Sequence, residues 1–274
     1  MTLFARRALT VLFGLPLVLG WLWIAKTYDQ FWLFALLLAL VTAVASWEYA
    51  TLIVQSQIPL EKFSLTLVSV LAILAYGVWG EGHASLILVA GGLLLLQSYL
   101  FSPEGMKSLA AAILGLFYIP YFLHFFYPLF EPERGFYYTL LVLLLVWAYD
   151  TGAYIVGSLL GKHKLVPELS PKKSWEGVFG GWMLALIAAE LSWLWMPGSL
   201  PLPDAALHGL ALSVLVSMFA QLGDLFESKL KRAASVKDSG AFLPGHGGML
   251  DRIDGLLFAL PIFYFYVHYV LKWV

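Results

Sequence analysis

The sequence predicts an all-α, polytopic membrane protein on three observations. It is 61% hydrophobic and only 12% charged, against about 25% charged residues in an average soluble domain. Its mean hydropathy is +0.84, too apolar for one water-facing core, so lipid must be the solvent. Its apolar residues run in stretches of about 20 with no strand-like alternation, which argues for helices over a β-barrel. Net charge is −1, which implies no nucleic-acid partner, and the absence of cysteine excludes disulfides, thiolate metal sites and cysteine nucleophiles.

Nine candidate spans follow in order, at roughly 8–25, 31–47, 63–80, 84–102, 108–130, 136–160, 177–196, 207–228 and 255–272. The first follows Arg6 and Arg7. It is long for a signal peptide and no small-residue cleavage site follows it, so it reads as an uncleaved span. Pro120 is expected to kink the fifth. Pro197 to Asp204, with three prolines, reads as a short loop. These spans suggest a division into about five helices over 1–130 and about four over 131–274, the latter carrying the chemistry.

Charge placement orients the chain. With the N-terminus in the cytoplasm, the inside set is Arg6, Arg7, Lys62, Lys107, Lys162, Lys164, Lys172, Lys173, Lys229, Lys231, Arg232, Lys237 and Arg252; the outside set is Lys26, Arg134 and Lys272. Thirteen against three is a strong positive-inside bias and sends the C-terminus outside. Nine of the thirteen fall in two cytoplasmic segments, Gly161–Glu176 and Lys229–Asp254.

The reactive residue types lie in those segments and in the spans beside them. Asp150 lies deep in the sixth span, where a carboxylate costs roughly 2.5–3.5 kcal/mol to insert, and Asp224 lies near the cytoplasmic end of the eighth. Glu190, in the seventh, has no polar companions and reads as structural. Asp251 and Asp254 are three apart, on one face of a helix start whose dipole favours negative charge. Asp224, Asp238, Asp251 and Asp254 fall within 31 residues, an oxygen-rich set suited to magnesium with substrate phosphates. Lys172, Lys173, Lys229, Lys231, Arg232, Lys237 and Arg252 serve positive-inside topology in part, and can also clamp phosphates. The turn Pro244–Gly248 lets backbone N–H groups approach a phosphate, with His246 as an acid/base or phosphate contact. Gly157–His163 (GSLLGKH) is not a P-loop: its glycine spacing is one short and a histidine replaces Ser/Thr.

The stretch Ser228–Asp254, SKLKRAASVKDSGAFLPGHGGMLDRID, resembles the signature of the phosphatidate cytidylyltransferase family. Ser228, Lys231, Arg232, Lys237, Asp238, His246, Gly247, Gly248, Asp251, Arg252 and Asp254 all meet it. Tyr149–Gly181 and the pair Gly223-Asp224 are similar to that family too, so the resemblance covers about a third of the chain. It implies a magnesium-dependent reaction, with one ion or two, between CTP and phosphatidic acid in a homodimer of the bacterial inner membrane, its active site facing the cytoplasm. Carried onto these positions, it implies metal ligands at Asp224, Asp251 and Asp254, the same carboxylates acting with Lys237 and Arg252 in catalysis. Ser170, Lys172, Lys173, Ser228, Lys231, Arg232, Asp238, His246, Gly247, Gly248 and Asp150 would contact substrate. The phosphate nucleophile is already anionic near neutral pH, so no general base is required.

Three other readings compete. A CTP-dependent polyprenol or diacylglycerol kinase shares the nucleotide chemistry and differs in releasing CDP. A transporter relaying protons through Asp150 and Glu190 would call for broken helices in two related halves, which are absent. A CDP-alcohol phosphatidyltransferase would need an Asp-Gly-x-x-Ala-Arg motif, also absent.

Overall fold

The computed structural model describes residues 3–79, 81–100, 105–131, 133–194, 202–242 and 247–272. Its helices are α1 (Leu3–Thr27), α2 (Phe31–Gln55), α3 (Lys62–Trp79), α4 (Glu81–Tyr99), α5 (Gly105–Leu116), α6 (Phe126–Phe130), α7 (Gly135–Leu160), α8 (Trp175–Ser192), α9 (Leu202–Ala233) and α10 (Leu250–Phe265). Among the described residues six stretches are long and apolar enough to cross a membrane: Phe31–Gln55, Lys62–Trp79, Gly105–Phe130, Gly135–Leu160, Asp204–Ala233 and Leu250–Leu271. They match the second, third, fifth, sixth, eighth and ninth expected spans. The first, fourth and seventh fall in α1, α4 and α8, which do not meet that standard among the described residues.

Several boundaries differ from expectation for physical reasons. Helix α2 does not stop before Glu48 but runs on to Gln55, because that carboxylate is buried and hydrogen-bonded rather than solvated. Helix α9 extends to Ala233, so Lys229, Lys231 and Arg232 sit on its last turns, where cations suit the dipole, and not in a loop. Pro120 lies in a π-helical turn, Phe117–Tyr121, a local rewinding that accommodates its missing N–H. The loop expected at 197–204 lies mostly outside the described residues, and α9 has begun by Leu202.

The chain forms two compact units: 1–127 with 230–253, and 128–229 with 254–274. The stretch 230–253, most of the signature, therefore clusters with the N-terminal helices rather than with the C-terminal ones.

In the first unit the core is aromatic. Phe34 meets Phe126 and Tyr127 edge-on, at ring centroid distances of 6.3 and 5.8 Å. Buried hydroxyls find backbone acceptors: Tyr49 donates to the Ala111 carbonyl at 2.8 Å and Tyr127 to that of Ile73 at 2.7 Å. Each bond removes the penalty of burying a phenol and fixes one helix against another.

In the second unit α7 and α8 cross at small residues. Gly152 faces the Gly180 backbone with no room for a Cβ, and Gly177 faces Gly157 and the Ala153 carbonyl, where a Cβ would also be tight. Close backbone approach of this kind substitutes for hydrophobic driving force within lipid. Between them lies an antiparallel hairpin, β1 (Lys164–Val166) and β2 (Ser170–Ser174), pairing Lys164 with Ser174 and Val166 with Ser170 around a bulge. This small hairpin is a local addition to a predominantly helical structure, which agrees with the all-α expectation.

Candidate active site

The hairpin is pinned at its base. Ser174 caps α8 by accepting from the Gly177 N–H at 3.2 Å. Glu176, in the first turn of α8, accepts the N–H groups of Lys162 and His163 at 3.2 Å and pairs with His163 Nδ1 at 2.5 Å. The His163 ring first, then Glu176's own N–H and the His163 N–H, hold the Glu176 carboxyl down to about 2. The strand so anchored carries Ser170, half-buried, Lys172, exposed, and Lys173.

Lys173 Nζ lies 2.5 Å from Asp224 Oδ2, on α9. One turn on, Ser228 donates to Asp224 Oδ1 at 3.3 Å. The Asp224 side chain keeps 36% exposure. Gly223, beside it, sits so close to the Asp254 carbonyl and to Gly255 of α10 that no Cβ fits. That contact brings the Asp224 turn of α9 against the Asp254 turn of α10. The Asp254 carboxylate accepts the Gly255 N–H at 2.7 Å. Asp150 is exposed on α7, and Glu190 faces Gly209 of α9.

In the first unit the centre is Asp251, in the opening turn of α10. Its Oδ1 pairs with Lys231 Nζ at 2.7 Å. Its Oδ2 accepts from Ser239 N, Ser239 Oγ and Gly248 N at 2.9, 3.0 and 2.8 Å. With 8% of its side chain exposed, Asp251 folds the signature segment around itself. Gly247 has φ of +84°, and a Cβ there would press on Asp251 Oδ2, so the turn requires glycine. Arg232, Lys237, Asp238 and Arg252 are exposed around this core. His246 lies outside the described residues.

Sequence reasoning missed Glu48. Only 6% exposed on α2, it accepts from Met249 N, Leu250 N and Ser239 Oγ at 3.1, 2.8 and 3.2 Å. The signal was available: an ionisable residue at the edge of an apolar span is a functional candidate by default. A groove of about 520 Å³ opens beside it, walled by Trp47, Thr51, Thr66, Ser239 and Phe242.

As a metal site, the donor chemistry fits a hard cation: carboxylate and hydroxyl oxygens with no thiolate. Among the described residues no three His, Asp or Glu side chains gather into a ligand cluster. The fit is therefore to a site of one or two carboxylates completed by substrate phosphates, the usual manner for magnesium. Asp224, a third exposed and held by one lysine, meets that description directly.

A sequence model of the cytidylyltransferase family matches residues 5–270. This chain belongs to that family. Among its relatives, a phosphatidate cytidylyltransferase of Staphylococcus haemolyticus is 35% identical over 258 residues, covering 93% of this chain and 96% of that one. One of Staphylococcus epidermidis is 37% identical over 237 residues, 84% and 86% of the two chains. One of Bacillus subtilis is 42% identical over 183 residues, spanning 66% of this chain and 65% of the relative. The chain is thus a cytidylyltransferase-family enzyme with membrane-spanning helices.

Proposed function

We propose that this protein is a phosphatidate cytidylyltransferase, making CDP-diacylglycerol and pyrophosphate from CTP and phosphatidic acid for phospholipid synthesis. The observation that carries this reading is the signature segment itself: in a chain matched by the family over residues 5–270, it is folded around one buried aspartate. A phosphate oxygen of phosphatidic acid attacks the α-phosphorus of CTP. The bond from that phosphorus to the bridging oxygen breaks, and its electron pair leaves with pyrophosphate. The attacking oxygen is already anionic, so catalysis rests on positioning and charge neutralisation.

Lys172, Lys173, Lys237 and Arg252 serve as the cations that draw triphosphate and lipid phosphate together, with Ser170, Ser228, Arg232, Asp238, His246, Gly247 and Gly248 orienting phosphate oxygens. Lys231 can exchange Asp251 for a phosphate oxygen. Magnesium, as one ion or two, would be held by one or two of the carboxylates Asp224, Asp251 and Asp254 together with substrate phosphates, and would neutralise the triphosphate. The thirteen-to-three charge asymmetry supports nine spans, with the N-terminus and the reactive segments in the cytoplasm and the C-terminus outside. Resemblance to the family supports a homodimer in a bacterial inner membrane.

The test is an assay of purified protein with phosphatidic acid and CTP labelled either at the α- or at the γ-phosphate. The α-label should enter the lipid and the γ-label should leave as pyrophosphate. Entry of the γ-label into lipid, with release of CDP, would instead identify a kinase.

A further inference from the structure

We infer that Glu48 is a positioning residue for the cytidylyl-transfer reaction, acting through Ser239 on Asp251; this rests on the reading of the signature segment as catalytic. The first N–H groups of a helix have no partner of their own. At α10, those of Met249 and Leu250 are taken by Glu48, about 200 residues earlier in the chain. The acceptor is a full carboxylate placed at the positive end of the helix dipole, which stabilises its charge in a buried setting. The same carboxylate fills the space in front of Gly240 and Gly248, so the loop closes on Glu48 from both sides.

The connection to Asp251 runs through one hydroxyl. Ser239 Oγ stands 3.2 Å from Glu48 Oε2 and 3.0 Å from Asp251 Oδ2, and itself accepts the Asp251 N–H at 3.3 Å. A hydroxyl has one proton to donate. It can serve either carboxylate but not both. Glu48 is therefore the alternative acceptor that keeps Ser239 in place whenever Asp251 releases it to engage the reaction. Without Glu48, release of that bond would free the loop as well. Glutamine cannot replace it, because its amide NH₂ would face an N–H or O–H donor at one of the two oxygen positions.

Glu48→Gln, Ser239→Ala and the double variant, assayed as full-length protein in detergent, test this. Each single variant should lose at least about tenfold in kcat, as expected for a misplaced reactive group, while KM for CTP changes little. The double variant should lose no more than the worse single one, because both cut the same connection. Wild-type turnover measured alongside establishes the reaction independently. A loss in the double variant equal to the product of the single losses would overturn the inference, as would a change confined to KM. If Glu48→Gln gives no folded protein, Ser239→Ala decides alone: it leaves both backbone bonds of Glu48 intact, and unchanged kcat would sink the proposal.

Discussion

Asp251 and Asp224 are the same side chain in two different situations. Asp251 accepts four donors, including the Lys231 ammonium, and is nearly closed to solvent. Asp224 has one lysine and one long serine bond and is 36% exposed. An aspartate held by several donors and closed to solvent organises its surroundings. One held by a single lysine and partly open to solvent can exchange that lysine for something else. The resemblance to the family takes in both types, and residue identity alone does not separate them.

The sharpest way to break the comparison is to neutralise each in turn. Asp251→Asn leaves a largely buried ammonium without its counter-ion, and removing one partner of such a pair costs about 3–5 kcal/mol. A large fall in thermal unfolding temperature in detergent, together with lost turnover, is expected. Replacing both partners, Lys231→Met with Asp251→Asn, should recover much of the stability and none of the activity. An unchanged unfolding temperature for Asp251→Asn would remove the distinction.

Next in size is Gly248→Ala. A Cβ there would press on Ser239 Oγ and lie 2.5 Å from Glu48 Oε2. Overpacking of this kind costs about 1–3 kcal/mol, and because the displaced atoms hold Asp251, turnover should fall too. Normal kinetics for this variant would show that the loop tolerates shifts the account forbids.

The smallest effect concerns the hairpin. Glu176 is held well below its ordinary 4.5, at about 2, because the His163 ring, its own N–H and the His163 N–H favour its charged form. A depressed carboxyl stabilises the fold above its unfolded value, and that contribution is lost as pH falls from about 4.5 towards about 2. Amide exchange protection at Lys162 and His163 should decline over that window in the wild type. In Glu176→Gln it should be lower at neutral pH and flat across the window. The converse pattern would mean that the hairpin is held by its strand pairing alone.

Much of this was legible in the sequence. Hydropathy locates six of the long helices, because the cost of unpaired backbone in lipid leaves little alternative. The signature locates Lys231, Gly248 and Asp251 within a span of 21 residues. What escaped is what depends on pairing across the chain. Glu48 reads as the end of a span because its partners lie about 200 residues away. Lys164–Ser174 shows no alternation, so its hairpin is visible only once Ser174 and Glu176 have fixed its base. Lys231 looks like one more phosphate-binding cation until its bond to Asp251 is seen.

On the proposed function, Asp224 is the exchangeable carboxylate of a magnesium-dependent cytidylyl transfer. It is tested most directly by comparing Asp224→Asn with the wild type in Mn²⁺ binding, followed by electron paramagnetic resonance with CTP present, and in turnover across a magnesium titration. Lys173 is only 19% exposed, so the variant leaves a largely shielded ammonium without this carboxylate, and its unfolding is followed beside the rates. Weakened Mn²⁺ binding is expected in the folded variant, with turnover lost or recovered only at much higher magnesium. Wild-type turnover with an unaltered magnesium requirement would contradict it.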